Sequence, residues 1–316
     1  MKRLTLALIS LYFLSCNLAF ANIPEKTMSV DGGQIKYYQI GQGHPVLLLH
    51  GLFANKKQWL ALVDQLAKAH PDMMQKFQFI IPDLPGYGRS SGYPIEAYNL
   101  DSNKTDTLNQ VQILHDFIKQ LQIGSLIDFA GNSMGGLIMV LYAVHYPSEV
   151  NSMAFIGSPL GIADYTSEFI NTGIRRGYNP FTPTTMEQFI NELRLLLVNY
   201  VAIMPSEEQI KTKILPRIEQ NFKTMTATYN MVSLQYYKEY LQHSLKLTQP
   251  VLVLWGDKDY IFGSSAQAKV LCHNLAQAKN CISHTVENAG HLLMMENQQT
   301  LASIAQYYQQ FLRQSH

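Results

Sequence analysis

Ser133 stands in Gly131-Asn132-Ser133-Met134-Gly135, a G-x-S-x-G pentapeptide, and the chain downstream offers the partners that a nucleophilic serine requires. A serine hydroxyl attacks a carbonyl only when a base removes its proton and an acid orients that base. The chemistry in view is acyl transfer through a covalent ester. A bare G-x-S-x-G recurs by chance, so its setting decides. Here it lies between Ile123 to Ala130, which reads as a short buried strand, and Met134 to His145, with Leu137, Leu141 and Val144 at helical spacing. A serine at such a turn is held in a strained conformation with its hydroxyl presented outwards. The flanking glycines are needed because a side chain there would strike the neighbouring strand or helix.

In an open α/β sheet the reactive groups lie at the carboxyl ends of strands, and with this pentapeptide the chain order is Ser, then Asp or Glu, then His. The strand ending at Trp255 runs into Gly256-Asp257-Lys258-Asp259, and the next strand is followed by Glu287-Asn288-Ala289-Gly290-His291. His291 is the expected base. His145, His243, His273, His284 and His316 fall in expected helix, in strand or at the terminus, which suits structural roles. For the acid, Asp257, Asp259 and Asp164 all follow strands. The oxyanion needs two backbone N–H donors. One is expected from Met134 at a helix N-terminus, the other from Leu52, or its neighbour Phe53, in His50-Gly51-Leu52-Phe53. His50 reads as a loop-holding residue rather than a catalytic one.

The elements that must position these groups alternate. Thr27 to Val30 and Gln34 to Ile40, around Asp31-Gly32-Gly33, read as a hairpin. Pro45 to Leu49 is a continuous apolar run, as in a strand buried on both faces. Trp59 to Ala69 reads as helix, Phe77 to Ile81 as strand, Thr107 to Leu121 as helix and Val150 to Ile156 as strand. Then strand signals lapse for about ninety residues. Thr184-Thr185-Met186-Glu187 and Ser206-Glu207-Glu208-Gln209 there fit capping boxes that start helices. Alternation returns with a strand at Val251 to Trp255, a helix near Ser264 to Leu275, a strand at Ile282 to Val286 and a helix at Gln298 to Leu312. The expected fold class is α/β, a mainly parallel doubly wound sheet interrupted by a helical insertion. Its core comprises residues 22–157 and 249–316, and the insertion residues 158–248. Asp128, inside an expected buried strand, demands a hydrogen-bond partner or a sheet-edge position.

Four motifs in order give the chain a resemblance to the α/β-hydrolase family over nearly all its length. They are His50-Gly51-Leu52-Phe53, Asp83-Leu84-Pro85-Gly86-Tyr87-Gly88-Arg89-Ser90, Gly131 to Gly136, and Gly256-x-x-Asp259 with Gly290-His291. The resemblance implies that the acid is Asp259, with Asp257 a loop residue. More narrowly, His50 to Trp59, Gly131 to Leu137, Glu287 to Glu296, and Tyr178 to Pro183 in the insertion resemble a group of bacterial lipases and monoacylglycerol lipases. This implies a serine hydrolase of lipid esters, with the insertion as a cap over the strand ends and its Met, Phe and Leu residues suited to an acyl chain. A serine nucleophile argues against the chemistry of epoxide hydrolases and dehalogenases, and the loop sequence H-G-L-F against proline-specific peptidases. A small-ester or C–C bond hydrolase on the same residues, and a non-catalytic ligand-binding homologue, are the rival readings.

Composition adds boundaries. The 316 residues are 47% hydrophobic and carry a net charge of +1, with no long basic run, which excludes a nucleic-acid footprint. No Cys/His spacing suggests a metal, and acyl transfer of this kind needs no organic cofactor. The expected partner is a small ester or lipid, with transient contact at a membrane or micelle surface; the sequence sets no oligomeric state. Lys2-Arg3, the apolar run Leu4 to Leu14 and Ala19-Phe20-Ala21 form a signal-peptide pattern cleaved near Ala21, implying export to the periplasm or medium. Leu14-Ser15-Cys16 resembles the end of a lipobox and competes with that site, although Phe13 replaces its usual Leu. Cleavage at Ala21 leaves Cys272 and Cys281, which form either one disulfide or two buried thiols.

Overall fold

The computed structural model describes residues 23–52, 54–91, 106–159, 175–178, 183–220, 246–263, 265–275 and 277–316. The signal-peptide pattern with Cys16, together with Phe53, Asp164 and His243, lies outside the described residues.

Eight strands form one sheet. They are β1 (Lys26–Val30), β2 (Gly33–Gly41), β3 (His44–Leu49), β4 (Phe77–Pro82), β5 (Ile127–Ser133), β6 (Val150–Pro159), β7 (Val251–Gly256) and β8 (Cys281–Val286). Their order is β1-β2-β4-β3-β5-β6-β7-β8. β1, β2 and β4 pair antiparallel and all other pairs are parallel, which is the mainly parallel sheet expected. The longer helices are α1 (Leu60–Ala69), α2 (Asp106–Gln120), α3 (Met134–His145), α4 (Met186–Leu196), α5 (Ala266–Asn274) and α6 (Gln298–Gln314).

The apolar strand runs have a direct cause. Leu47 and Leu49 of β3, with Val251, Val253 and Trp255 of β7, pack into one core with α2 and α3. Val46, Leu48, Leu252 and Leu254 point to the other face, into a core shared with α1 and α6. Side chains alternate across a strand, so a sheet covered on both faces demands apolar residues at every position. Each such Leu or Val contributes about 1.5–3 kcal/mol by leaving water.

Two local readings need correction. The strand before Ser133 begins at Ile127, not Ile123. Gln122 takes a left-handed conformation (φ 53°) just past α2, and Leu126 is 45% exposed, so Ile123 to Leu126 is a connection despite its Ile and Leu. The first capping box is shifted by one residue, with Thr185 as N-cap and Gln188 as its partner instead of Thr184 and Glu187. One Gln188 oxygen accepts from both the Thr184 and Thr185 N–H groups, which a box starting at Thr184 would not achieve. The box at Ser206 and Gln209 forms as read. Between Pro159 and Val251, every regular element among the described residues is helical.

Asp128 is fully buried in the middle of the sheet, so the edge alternative fails. Its partners are Ser152 Oγ at 2.6 Å and Asn151 Nδ2 at 2.8 Å on Oδ1, and His316 Nε2 at 2.6 Å on Oδ2. Cys272 and Cys281 form a disulfide with 5.5 Å between their Cα atoms, joining α5 to the start of β8.

Candidate active site

Ser133 is the last residue of β5 and the residue before α3, with φ 52° and ψ −116°. A non-glycine residue there carries strain of about 1–3 kcal/mol that the surrounding packing must hold. That packing explains the glycines of the pentapeptide. A Cβ on Gly131 would sit 2.6 Å from the backbone of Gly135, and one on Gly135 would sit 2.0 Å from the Leu49 carbonyl oxygen. Strand, turn and helix approach too closely for any side chain. Ser133 keeps 8% of its surface exposed, a narrow opening for a reactant.

His291 and Asp259 meet where the sequence order expects them. His291 Nδ1 lies 3.0 Å from Asp259 Oδ2, and both side chains are almost wholly buried. Asp259 Oδ1 accepts from the N–H groups of Ile261 and Phe262 at 2.9 and 3.1 Å, which fixes the carboxylate plane. With Asp259 on Nδ1, any proton transfer by His291 would run through its other ring nitrogen. Asp257 does different work. Its Oδ1 accepts from Ala289 N–H at 3.2 Å, and Lys258 N–H donates to Ala289 O at 2.9 Å, so it laces its loop to the histidine loop.

Leu52 is buried in the loop after β3, and the hypothetical Cβ of Gly51 lies 3.4 Å from Ser133 Cβ, which brings that loop against the serine. Met134 opens α3 directly after it. His50 is wholly buried and structural. Its Nε2 accepts from Leu84 N–H at 3.0 Å, which leaves Nδ1–H to donate to Gly51 O at 2.8 Å. This arrangement requires the neutral ring. Burial pushes the His50 pKa down to about 4, against the opposing pull of Asp83 and of the Gly51 carbonyl. Asp83 in turn accepts from Lys56 N–H, Lys56 Nζ and Arg89 N–H at 2.8, 2.5 and 2.7 Å.

Sequence reasoning missed the groups that join these loops. Gly51 N–H donates to Gln58 Oε1 (3.0 Å), and Gln58 Nε2 donates to Asn132 Oδ1 (2.9 Å). Asn132 Nδ2 then donates to Ile156 O (2.9 Å) and approaches His291 O (3.4 Å). One relay of two buried amides therefore registers the loop after β3, the turn carrying Ser133, the end of β6 and the histidine loop. Gly157, with φ 97°, leaves room for it, because a Cβ there would lie 2.3 Å from Asn132 Nδ2. Glu296 is the second omission. It is almost wholly buried, and its Oε1 accepts from Gly290 N–H (2.7 Å) and Val198 N–H (2.9 Å) while Oε2 accepts from Asn199 N–H (3.0 Å). Leu292 N–H donates to Leu196 O at 3.1 Å. Both neighbours of His291 are thus tied, through Glu296 or directly, to the end of α4. The one available signal was position: Asn132 lies inside the pentapeptide and Glu296 five residues beyond His291.

A family model described as the alpha/beta hydrolase fold matches residues 44–298. The chain belongs to this family. Among α/β-hydrolases it is 25% identical to human monoacylglycerol lipase ABHD6 over 277 residues, covering 84% of this chain and 74% of that one. It is 28% identical to Lipase 1 of Psychrobacter immobilis over 281 residues, covering 84% and 77%. In three dimensions it is similar to a bacterial membrane phospholipase A described as a virulence factor, with a TM-score of 0.73 and 26% identity over 94% of this chain and 88% of that one.

Proposed function

We propose that this α/β-hydrolase is a serine hydrolase of carboxylic esters, acting on acylglycerols or similar lipid esters. The observation that carries the reading is the strained Ser133 at the end of β5, with the hydrogen-bonded His291 and Asp259 on the adjoining loops of the same sheet end. His291 takes the Ser133 proton as Oγ attacks the ester carbonyl. The amides of Met134 and Leu52 hold the resulting oxyanion. His291 then passes the proton to the departing alcohol, leaving an acyl-serine. In the second half His291 deprotonates water, which attacks the acyl carbon, and returns the proton to Ser133. Asp259 keeps the ring oriented and balances its charge while it is protonated.

The helical segment between β6 and β7 acts in this reading as a cap, with its docking onto the histidine loop through Glu296 and Leu196 as support. The lipase names of the relatives support a lipid ester. Export to the periplasm or medium is part of the proposal, and the Cys272–Cys281 bond supports it because such bonds persist in oxidising compartments.

A fluorophosphonate probe and an ester series test the proposal together. Ser133 is expected to be the labelled residue, and Ser133→Ala to remove labelling and activity. The kcat/KM for p-nitrophenyl esters should rise from acetyl to medium chains, since each buried CH₂ contributes roughly 0.8 kcal/mol, and monoacylglycerols should outrun triacylglycerols. Failure of the probe would leave a ligand-binding homologue. Labelling with a monotonic fall from the acetyl ester and no glyceride hydrolysis would leave a small-ester hydrolase.

A further inference from the structure

At the opposite end of the sheet from Ser133, three side chains converge on one point. His44 opens β3, Asp128 is the second residue of β5, and His316 lies two residues past α6. Asp128 lies five positions before Ser133 along β5, roughly 16 Å at the rise of a β-strand. One donor atom from each of His44, Asp128 and His316 lies within 4.8 Å of the other two. Nε2 of His44 and Nε2 of His316 stand 3.3 and 2.6 Å from the same oxygen, Asp128 Oδ2.

We infer that His44 Nε2, His316 Nε2 and Asp128 Oδ2 form a binding site for a divalent transition-metal ion of the zinc type. The carboxylate is oriented for it. Oδ1 is occupied by Ser152 Oγ and Asn151 Nδ2, which turns Oδ2 towards the two imidazoles. Such an outer hydrogen-bonded layer is what fixes metal-binding carboxylates. Nε2 of His44 is buried and, despite its nearness to Oδ2, makes no hydrogen bond. A polar atom in that position lacks what a metal would supply. The donor set of two imidazoles and one carboxylate selects zinc, cobalt or nickel over calcium and magnesium, which prefer oxygen alone.

Binding an ion requires the His316 ring to move while His44 and Asp128 stay. Ligands about 2.0–2.1 Å from a tetrahedral ion stand roughly 3.3 Å from one another. His44 and Asp128 already meet that spacing; His316 Nε2 must retreat from Asp128 Oδ2 by about 0.7 Å, and the two imidazole rings, whose centroids lie 3.9 Å apart, must open to admit an ion between them. His316 Nε2 would also give up its 3.4 Å contact with Asn151 Nδ2, which keeps its bond to Asp128. His316, 30% exposed, is the side from which water would reach the fourth position. At this distance from Ser133 the ion would be structural, pinning the stretch after α6 to the start of β3 and β5.

Titration of chelator-treated, desalted protein with Co²⁺ or Zn²⁺ tests the site. Co²⁺ should bind with one-to-one stoichiometry and develop the visible bands of a tetrahedral N/O site, and Zn²⁺ should displace it and raise Tm by a few degrees. His44→Gln and His316→Gln should each weaken binding at least roughly tenfold and abolish the Tm increase, while fluorophosphonate labelling of Ser133 stays unchanged. Binding that survives both substitutions would overturn the assignment. So would a Tm loss in His316→Gln that is the same with and without metal, which would reduce the cluster to a His316–Asp128 ion pair.

Discussion

Replacing Glu296 by Gln should damage both stability and turnover, although the residue reaches neither Ser133 nor Asp259 in the described contacts. Its two oxygens accept three backbone N–H groups, from Gly290, Val198 and Asn199. A glutamine can keep its carbonyl oxygen towards Gly290 and Val198. Its NH₂ group then faces the Asn199 N–H, donor against donor, at a buried position. One charge-assisted bond, worth about 1.5–3 kcal/mol, disappears, and the other two lose the charge. The expected loss is about 2–4 kcal/mol in urea unfolding, read as a lower midpoint at constant m. The tie of the histidine loop to the end of α4 on the Gly290 side is then weakened, held by the neutral carbonyl alone, while Leu292 keeps its own. A misplacement near 1 Å can cost about 10²-fold in rate, so kcat on a p-nitrophenyl ester should fall by roughly 10–100-fold. The assay belongs well below the Tm of the variant, with a native circular-dichroism spectrum as control. KM should move less than kcat, because substrate contacts persist. Glu296→Gln that unfolds within about 0.5 kcal/mol of the parent and turns over within about twofold would refute the argument.

Three further outcomes follow from contacts already described. Asp259→Asn should lower kcat by roughly 10³–10⁴-fold because the amide favours the wrong imidazole tautomer, whereas Asp257→Asn, which keeps an acceptor for Ala289 N–H, should cost less than about tenfold; the reverse ranking would move the acid to Asp257. His50 is neutral in the fold with a pKa of about 4, while the unfolded chain takes up the proton near pH 6.5; stability is therefore intact above about pH 6.5 and drains as pH falls towards 4, by at most about 3 kcal/mol. His50→Asn should flatten that part of the stability–pH curve, and an unchanged slope would assign it to other groups. Gly135→Ala places a Cβ 2.0 Å from Leu49 O, backbone that cannot turn aside, and should destabilise by about 3 kcal/mol or more; a soluble variant with the parent Tm would contradict the packing argument.

The sheet was legible because β3 and β7 are buried on both faces, and such strands leave unbroken apolar runs that few other structures require. The turn at Ser133 was legible for a steric reason: its two glycines mark close backbone approaches whatever lies elsewhere in the chain. Asp128 was half legible. An ionisable residue in a buried strand announces that it needs partners, but those partners lie 24 and 188 residues away, and no local pattern encodes them. Gln58 was silent, and Asn132 and Glu296 offered nothing beyond their positions, for the same reason. A polar residue reads as exposed until the fold buries it, and the roles of these three exist only where separate loops converge. The misplaced start of β5 shows the opposite error, since Ile123 and Leu126 have strand-forming side chains while Gly124 and Ser125 between them favour a turn.

The Cys272–Cys281 bond also acts on the connectivity of the chain. The route from Asp259 to His291 leaves the sheet through α5 and returns along β8, and the disulfide bridges that excursion where helix gives way to strand. It thereby shortens the covalent path between the two residues whose hydrogen bond the proposed chemistry depends on. If α5 peels away in a partial opening, the free segment cannot lengthen beyond the crosslink, and Asp259 and His291 separate less than an uncrosslinked chain would allow. Reduction should accordingly make this quarter of the molecule the first to exchange its amide hydrogens. Under the proposed mechanism, activity would then be lost as Asp259 and His291 drift apart while the rest of the sheet stays folded.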